Sequence, residues 1–233
     1  MTTAAVMQPY LFPYLGYWQM AGAVDVFVLL DDVNFIKKGW INRNNILLDG
    51  QAHLFTLPLA GVSQNRLICE TRVSDDFRER RKLLKTIDQC YAKAPYFKDF
   101  YPVVEEVVNC PESGLSDFLH RHFVRMFEYL GLSAKLLRSS EMAKDSELKA
   151  QERIVDICRR VGAKVYINAV GGQQLYDRER FQAENMDLKF IKMRPAAYPQ
   201  FKADFVPGLS IIDVLMFNDR ERARALLGEY DLI

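Results

Sequence analysis

The segment of the sequence best suited to chemistry is DDVNFIKKGWINRNN, in which acids, cations and amides follow one another closely. Its charged residues are Asp31, Asp32, Lys37, Lys38 and Arg43. A carboxylate can act as a base or orient a hydroxyl group, and lysine and arginine bind phosphate or carboxylate. We therefore predict a substrate site in this segment, with Asp32, Lys38 and Arg43 as the candidate catalytic residues.

Substrate binding is the role that we predict for the remaining polar residues of this segment and for its tryptophan. These residues are Asp31, Lys37, Trp40 and Asn42. A large aromatic side chain is costly to expose among charges without a partner. The alternative interpretation is a solvated loop with balanced charges, and Trp40 favours a site over that alternative.

A second candidate is the N-terminal stretch QPYLFPYLGYW, which follows the first predicted strand. Ligands of open parallel sheets bind at the carboxyl ends of strands, and Gly16 permits close approach of a backbone or a ligand. Substrate-binding candidates here are Gln8, Tyr10, Tyr14 and Tyr17. A proline-stiffened aromatic corner of the core is an equally good interpretation of the same residues.

A third candidate is the glycine pair Gly171 and Gly172, which comes directly after the predicted strand KVYINA. Successive backbone N–H groups in such a turn can bind an anion. The pattern is neither a P-loop nor a dinucleotide-binding fingerprint, because the Lys-Ser/Thr pair and the third glycine are missing. We include both glycines among the substrate-binding candidates, with a plain turn as the alternative.

The C-terminal stretch RPAAYPQFKADFVPGLSIID has two interpretations. Arg194, Tyr198 and Gln200 could reach over the edge of the sheet as a lid. A packed proline-rich crossover is the favoured interpretation. Asp213 lies three residues after Ser210, which predicts a helix cap rather than an acid catalyst.

The histidines and cysteines indicate neither a catalytic triad nor a metal site. His120 and His122 are two residues apart in a predicted helix and therefore face different directions, and His53 is isolated. The cysteines are Cys69, Cys90, Cys110 and Cys158, which we expect to be buried free thiols. The sequence therefore predicts no metal ligands.

Overall charge excludes a general polyanion-binding protein. Lys and Arg total 31 against 30 Asp and Glu, so no overall field favours nucleic acid or an anionic membrane, although local patches are compatible with this balance. The N-terminus lacks a signal-peptide pattern, and windows such as Gly22–Leu30 are shorter than the roughly 20 apolar residues of a membrane span. We expect a cytoplasmic protein with a phosphate- or carboxylate-bearing small-molecule substrate and no nucleic acid; a homo-oligomer is compatible with the sequence.

The elements that must position these residues alternate between strand-like and helix-like runs. This alternation predicts an α/β fold with a mostly parallel, Rossmann-like sheet flanked by helices. We expect one domain over residues 1–233, with an antiparallel element inserted at 44–74 and a helical segment at 76–131. Asp49-Gly50 predicts the hairpin turn of the insertion, and 66–74 is expected to add a strand to it.

Four blocks of the sequence together resemble the WbqC-like protein family. They are QPYLFPYLGYW, DVFVLLDDVNFIKKGWINRN, the VYINAVGG–LYD element and the ending YPQF–FVPGLSIIDVLMFN. The blocks run in order from near residue 7 to near residue 218, which is almost the whole chain. The resemblance implies a role in the biosynthesis of surface glycans of the O-antigen type. It also implies a transferase that adds an amino acid or acyl group to a sugar intermediate.

Two further functions remain open. The first strand and the Pro-x-x-Gly-x turn are similar to the start of HIGH-type nucleotidyltransferases, with Tyr14 and Tyr17 in the places of the signature histidines. A nucleotidyltransferase or ligase would require a nucleotide, with or without magnesium, and the sequence itself names no cofactor. A non-catalytic protein that binds a sugar or nucleotide is the other alternative.

Overall fold

A six-stranded sheet forms the centre of the protein in the computed structural model, which describes residues 1–145, 147–201 and 204–233. The strands are β1 (Thr3–Met7), β2 (Val26–Leu29), β3 (Arg43–Leu48), β4 (Gln51–Thr56), β5 (Leu59–Ala60), β6 (Arg72–Val73), β7 (Lys135–Arg138), β8 (Val165–Ala169), β9 (Asp187–Met193) and β10 (Tyr230–Leu232). The helices are α1 (Leu15–Gly22), α2 (Phe77–Tyr91), α3 (Phe97–Val108), α4 (Leu115–Leu130), α5 (Ala150–Arg160), α6 (Arg178–Gln182), α7 (Ile211–Phe217) and α8 (Arg220–Leu227).

The order of strands in this sheet is β10-β9-β8-β1-β2-β7. All neighbouring strands are parallel except β9 and β10. The chain therefore moves outward from β1 through β2 to β7, and then continues on the other side of β1 with β8. This doubly wound arrangement confirms the predicted Rossmann-like sheet, and it places a topological switch point between β1 and β8.

The sheet is covered on both faces because its central strands are apolar on both sides. All residues of β2 are buried. Successive side chains of a strand point to opposite faces. Accordingly Phe27 and Leu29 pack in the larger core, which includes α1 and α4, whereas Val26 and Val28 pack in the smaller core with α5.

Residues 44–74 contain small antiparallel pairs, which agrees with the predicted insertion. β3 pairs with β4 through the turn at Asp49 and Gly50, both of which have positive φ. The expected third strand at 66–74 is largely absent, because this segment forms a 3-10 turn at Ile68–Glu70 and only the short β6. The N–H of Ile68 donates to the carbonyl of Val33 instead, at 2.9 Å.

The helical middle segment is formed by α2, α3 and α4, as predicted. Gly131 follows α4 with φ of 71°, which glycine adopts without strain. Among the described residues, no helix combines the length and apolarity needed to cross a bilayer. Cys90, Cys110 and Cys158 are buried free thiols as expected, whereas Cys69 is only partly buried.

The start of α7 corrects one expectation about Asp213. The hydroxyl of Ser210 accepts a hydrogen bond from the N–H of Ile212 at 3.2 Å, so Ser210 is the cap. The carboxylate of Asp213 is instead fully buried and accepts hydrogen bonds from Tyr91 at 2.8 Å and Tyr198 at 2.7 Å. The side chain of Asp213 therefore joins α7 to Tyr91 and Tyr198 within the core and does not cap a helix.

Candidate functional site

A cleft of about 450 Å³ lies at the carboxyl edge of the sheet, where the chain leaves β2. The N-terminus of α5 and the segment after β8 form its other walls. Its lining residues are Leu30, Asp32, Val33, Asn34, Leu67, Lys149, Ala150, Gln151, Arg153, Ile154, Leu175 and Tyr176. Ligands of doubly wound sheets bind at this edge, so the cleft is the candidate functional site.

Asp32 carries the negative charge of the cleft. Its Oδ2 atom lies 2.6 Å from Nζ of Lys144, and its Oδ1 atom lies 4.0 Å from a guanidinium nitrogen of Arg153. Burial raises the pKa of Asp32, but the hydrogen bonds from Lys144 and Ser139 outweigh burial and lower it below its ordinary value. A carboxylate with a lowered pKa is a weak base near neutral pH, whereas it can accept a hydrogen bond from a hydroxyl of a ligand.

Positive charge in the cleft comes from the segment that leads into α5. Arg153 donates to the backbone carbonyls of Asp32 at 3.0 Å and Leu148 at 2.9 Å, which holds its guanidinium in the wall of the cleft. Lys149 is exposed at the start of α5, which has no side-chain cap. Both cations can bind phosphate or carboxylate, and the partial positive charge of the helix N-terminus adds to their effect.

Lys144, Lys149 and Arg153 are not among the residues predicted from the sequence. The signal that could have found them is the position of these cations just before and within a helix that follows a strand. A helix that connects two parallel strands must begin at the carboxyl edge of the sheet, which is where ligands bind. KDSELKAQER is therefore a candidate site segment on topological grounds.

Asp31, a predicted substrate-binding residue, is fully buried and does not line the cleft. Its carboxylate accepts hydrogen bonds from the hydroxyls of Ser116, Ser139 and Ser140 and from the N–H of Ser140. These donors come from α4 and from the end of β7, so the carboxylate ties both to the end of β2. Asp31 is thus buried outside the cleft lining, where it binds these donors, and its role in substrate binding stays a prediction.

The predicted catalytic cations lie outside the cleft. Lys37 and Lys38 are exposed on the loop after β2, and neither lines the cleft. Arg43 donates from Nε to the carbonyl of Gly39 at 2.9 Å and from its terminal nitrogen to the carbonyl of Lys38. Arg43 is thus used to shape the loop, and the structure does not bring Lys38 and Arg43 together with Asp32.

Trp40 and Asn42 are also outside the cleft. Trp40 is 43% exposed, and its carbonyl accepts a hydrogen bond from the N–H of Leu11 at 3.1 Å. The side-chain amide of Asn42 donates to the carbonyl of Leu57 at 2.8 Å. Asn42 therefore joins two backbone segments, whereas no hydrogen bond from the indole of Trp40 is found in the described part of the chain.

The N-terminal stretch QPYLFPYLGYW forms an aromatic corner of the core, which is the second of its two interpretations. The hydroxyl of Tyr17 donates to the carbonyl of Gln8 at 2.8 Å, and Tyr17 is buried. Tyr10 packs against Tyr17 with ring centroids 5.6 Å apart. The ring of Tyr14 covers Gly16, where a Cβ would lie 2.5 Å from Cε2 of the tyrosine. These residues share the carboxyl edge of the sheet but do not line the cleft.

The glycine pair supports the wall of the cleft without lining it. Gly171 and Gly172 lie in a 3-10 turn that runs from Val170 to Leu175 directly after β8. A Cβ on Gly172 would lie 2.7 Å from Oδ1 of Asn168, so a side chain at this position would displace the amide of Asn168. The amide of Asn168 donates to the hydroxyl of Tyr176 at 3.2 Å, and Tyr176 lines the cleft. Of the two glycines, Gly172 therefore packs closely against Asn168 and Tyr176, whereas a Cβ at Gly171 would meet no atom within 4 Å.

The C-terminal stretch resembles the packed crossover more than a lid. Asp213 accepts hydrogen bonds from Gln200 at 2.5 Å and from Tyr198 at 2.7 Å. Arg194 forms an ion pair with Asp231 on β10. His122 is buried against Phe12 with ring centroids 4.4 Å apart, and burial lowers its pKa to about 3. None of these residues lines the cleft.

Comparison with known proteins gives a family match over most of the chain and a distant relative. A sequence model of the WbqC-like protein family matches residues 8–225. The uncharacterized protein Rv1507c of Mycobacterium tuberculosis is 24% identical over 223 residues, which cover 94% of this chain and 94% of that protein. No solved structure matches the chain.

Proposed function

The chain belongs to the WbqC-like protein family, and on that premise we propose that it is a transferase in the biosynthesis of surface glycans of the O-antigen type. It adds an amino acid or acyl group to a sugar intermediate carried on a phosphate, and it does so in the cytoplasm. The observation that carries the proposal is that a carboxylate of lowered pKa, Asp32, and two cations, Lys149 and Arg153, face the same cleft.

The ligand class follows from the presence of one acid and two cations in the lining of the same cleft. Asp32 accepts hydrogen bonds from sugar hydroxyls, because an acid at the end of the second strand of a doubly wound sheet is placed to bind them. Lys149 and Arg153 bind the phosphate that joins the sugar to its carrier. The volume of about 450 Å³ is within the range of small-molecule sites and suits a sugar phosphate.

The proposed chemical step is transfer of an activated acyl group to a hydroxyl or amine of the sugar. The acceptor atom forms a bond to the acyl carbon, and the bond from that carbon to its carrier breaks with the electron pair remaining on the carrier. The proton of the acceptor passes to the leaving carrier or to water. Asp32 orients the acceptor, because its lowered pKa makes it a weak base.

Thermal-shift measurements with nucleotide-linked sugars test the binding half of this proposal. A ligand that binds only the native state raises its unfolding temperature. We expect a shift with UDP- or dTDP-sugars in the wild type and in Lys38→Ala, and a lost shift in Lys149→Ala/Arg153→Ala. An unchanged shift in the double variant would refute the assignment of the cleft.

Product analysis tests the catalytic half. Incubation with the sugar ligand and activated amino acids or acyl donors should give an acylated sugar in a mass spectrum. Binding without product from any donor would favour a non-catalytic accessory protein instead.

Nucleotidyl transfer is less well supported by the structure. Tyr17, which occupies the place of a signature histidine, is buried and donates its hydroxyl proton to the carbonyl of Gln8. Its hydroxyl therefore cannot stabilise the charge of a phosphate at the transition state. Stabilisation of the protein by ATP with magnesium, together with release of pyrophosphate, would contradict this assessment.

A further inference from the structure

Two loops at the carboxyl edge of the sheet pair with each other beside the cleft. The first follows β2 and the second precedes the 3-10 turn at Ile68–Glu70. The N–H of Phe35 donates to the carbonyl of Arg66 at 2.8 Å, and Ile68 donates to Val33 at 2.9 Å. We call the exposed apolar and basic residues of these two loops the edge patch, which consists of Ile36, Lys37, Lys38, Trp40, Val62 and Arg66.

The edge patch is positively charged although the whole chain is nearly neutral, with a net charge of +1. Residues 33–48 and 57–69 contain no acid, and their basic residues are Lys37, Lys38, Arg43 and Arg66. Arg43 binds backbone carbonyls within the loop. Within the described ranges the other three are exposed and form no ion pair. They can therefore bind an anionic partner.

The apolar members of the edge patch are exposed together with these cations. Ile36 is 50% exposed, Trp40 43% and Val62 37%. Single exposed apolar residues are ordinary, but a tryptophan and two β-branched residues on paired loops form an apolar surface that water solvates poorly. A partner that offers both anionic groups and an apolar layer would match both properties.

The loop that carries most of the edge patch is held in its shape by the protein. The N–H of Gly39 donates to the carbonyl of Ile36 at 3.1 Å, which closes a turn. Arg43 holds the carbonyls of Lys38 and Gly39, and Lys38 has a φ of 63°, a conformation that a lysine rarely adopts. The backbone at the tip of the loop is thus preorganised, which lowers the entropy cost of binding.

We propose that the edge patch binds the surface of an anionic lipid bilayer. Trp40, Ile36 and Val62 enter the headgroup region, where tryptophan is favoured, and Lys37, Lys38 and Arg66 contact lipid phosphates. A nucleic acid would use the cations alone and would leave the aliphatic side chains without a role. The bilayer therefore accounts for more of the patch than a nucleic acid does.

This orientation places the cleft beside the bilayer. Asn34 and Leu67 line the cleft, and each is one residue from the backbone pair that starts the edge patch, Phe35 and Arg66. A sugar phosphate attached to a lipid carrier could therefore reach the cleft while its carrier stays in the membrane. Access of a lipid-linked sugar phosphate to the cleft rests on the proposed function, whereas membrane binding by the edge patch does not.

Tryptophan fluorescence of the full chain with lipid vesicles tests the proposal. The chain has two tryptophans, of which Trp18 is fully buried and Trp40 is exposed, so a change on binding reports on Trp40. We expect a blue shift and quenching by brominated acyl chains with vesicles of equal parts phosphatidylglycerol and phosphatidylcholine. Pure phosphatidylcholine vesicles should bind more weakly, because they carry no net charge.

Variants of the patch and of the opposite edge provide the controls. Lys37→Glu/Lys38→Glu should weaken binding to anionic vesicles by at least about thirtyfold, given the contribution of each basic residue near an anionic surface. Lys135→Glu/Lys164→Glu makes the same charge change at exposed positions near the amino ends of β7 and β8, and should bind like the wild type. Equal binding by both double variants, or no vesicle binding by the wild type, would overturn the proposal.

Two further experiments distinguish membrane binding by the edge patch from nucleic-acid binding and from ligand binding in the cleft. Double-stranded DNA that binds more tightly than the anionic vesicles would assign the patch to nucleic acid instead. The cleft variant Lys149→Ala/Arg153→Ala should bind anionic vesicles like the wild type, and Lys37→Glu/Lys38→Glu should retain the thermal shift with soluble nucleotide-sugars. Failure of the cleft assignment is therefore distinguishable from failure of the edge patch.

Discussion

The ammonium group of Lys144 lies 2.6 Å from the carboxylate of Asp32, and both side chains are largely shielded from water, with 7% and 17% of their surface exposed. Lys144 also donates to the carbonyl of Ser139. The pair therefore holds the segment before α5 against the end of β2 and fixes the acid that faces the cleft. Its removal should affect both stability and the ionisation of Asp32.

Lys144→Met should lower the free energy of unfolding by about 1 to 3 kcal/mol, because it leaves a partly buried carboxylate without its cation. Urea denaturation measures this loss. Lys164→Met removes an exposed lysine at the amino end of β8 and should change the free energy by less than about 0.5 kcal/mol. Equal effects of the two substitutions would show that the pair contributes nothing specific.

His122→Phe should stabilise the protein, and more so at acid pH. Both ring nitrogens of His122 are buried and have no hydrogen-bond partner within the described part of the chain. Burial lowers its pKa to about 3, so between about pH 6.5 and pH 3 the unfolded chain binds a proton that the folded chain does not. The stability of the wild type therefore falls as pH decreases through this window.

Denaturation curves of both proteins at several pH values measure this effect. The stabilisation by His122→Phe should be about 2 kcal/mol larger at pH 5 than at pH 8. Val124→Ala changes an exposed residue of the same helix that carries no titratable group, so it serves as the control and should leave the pH dependence unchanged. A stabilisation that is independent of pH would contradict the assignment of the titration to His122.

Lys149→Ala and Arg153→Ala should each weaken binding of a phosphate-bearing ligand in the cleft by about tenfold or more, because each removes a charged hydrogen-bond donor. Lys38→Ala should have no effect, since Lys38 lies outside the cleft lining. Isothermal titration of a nucleotide-sugar gives the three dissociation constants. An effect confined to Lys38→Ala would restore the interpretation based on sequence alone.

Gly172→Ala should weaken ligand binding, whereas Gly171→Ala should not. A methyl group at Gly172 would lie 2.7 Å from Oδ1 of Asn168 and would displace the amide that donates to Tyr176 in the cleft wall. A methyl group at Gly171 meets no atom within 4 Å. The dissociation constant and the unfolding temperature of both variants should be compared, and equal affinities would show that Tyr176 does not depend on Gly172.

Much of the fold follows from local signals in the sequence. Asp49-Gly50 forms its tight turn because its own backbone can adopt positive φ, and Gly131 follows α4 for the same reason. The apolar residues of β2 predict a buried strand without any knowledge of its neighbours. The segment 66–74 escaped prediction because its hydrogen bonds go to tertiary partners. Ile68 binds the loop after β2, and Val73 donates to the carbonyl of Ser113.

The same difference between local signals and tertiary contacts limited the prediction of the site. Asp32 was identified because it ends a strand, but its partners Lys144 and Arg153 reach it only through the crossover that ends in α5. Arg43 is of a residue type that often binds ligands, yet its guanidinium donates hydrogen bonds to the carbonyls of Lys38 and Gly39. Residue types near the end of a strand therefore indicate where a candidate site lies better than they indicate which residues form it.

The adjacent acids Asp31 and Asp32 have a practical consequence for mutagenesis. Asp31 is enclosed by the hydroxyls of Ser116, Ser139 and Ser140, and Asp32 lies in the cleft. If the proposed function is correct, we expect replacement of either acid to abolish activity in a cell-based screen. Loss of Asp31 would do so because the protein fails to accumulate, and loss of Asp32 because the protein no longer binds the proposed ligand. Protein abundance measured beside activity therefore distinguishes the two acids, whereas activity alone would assign both to the active site.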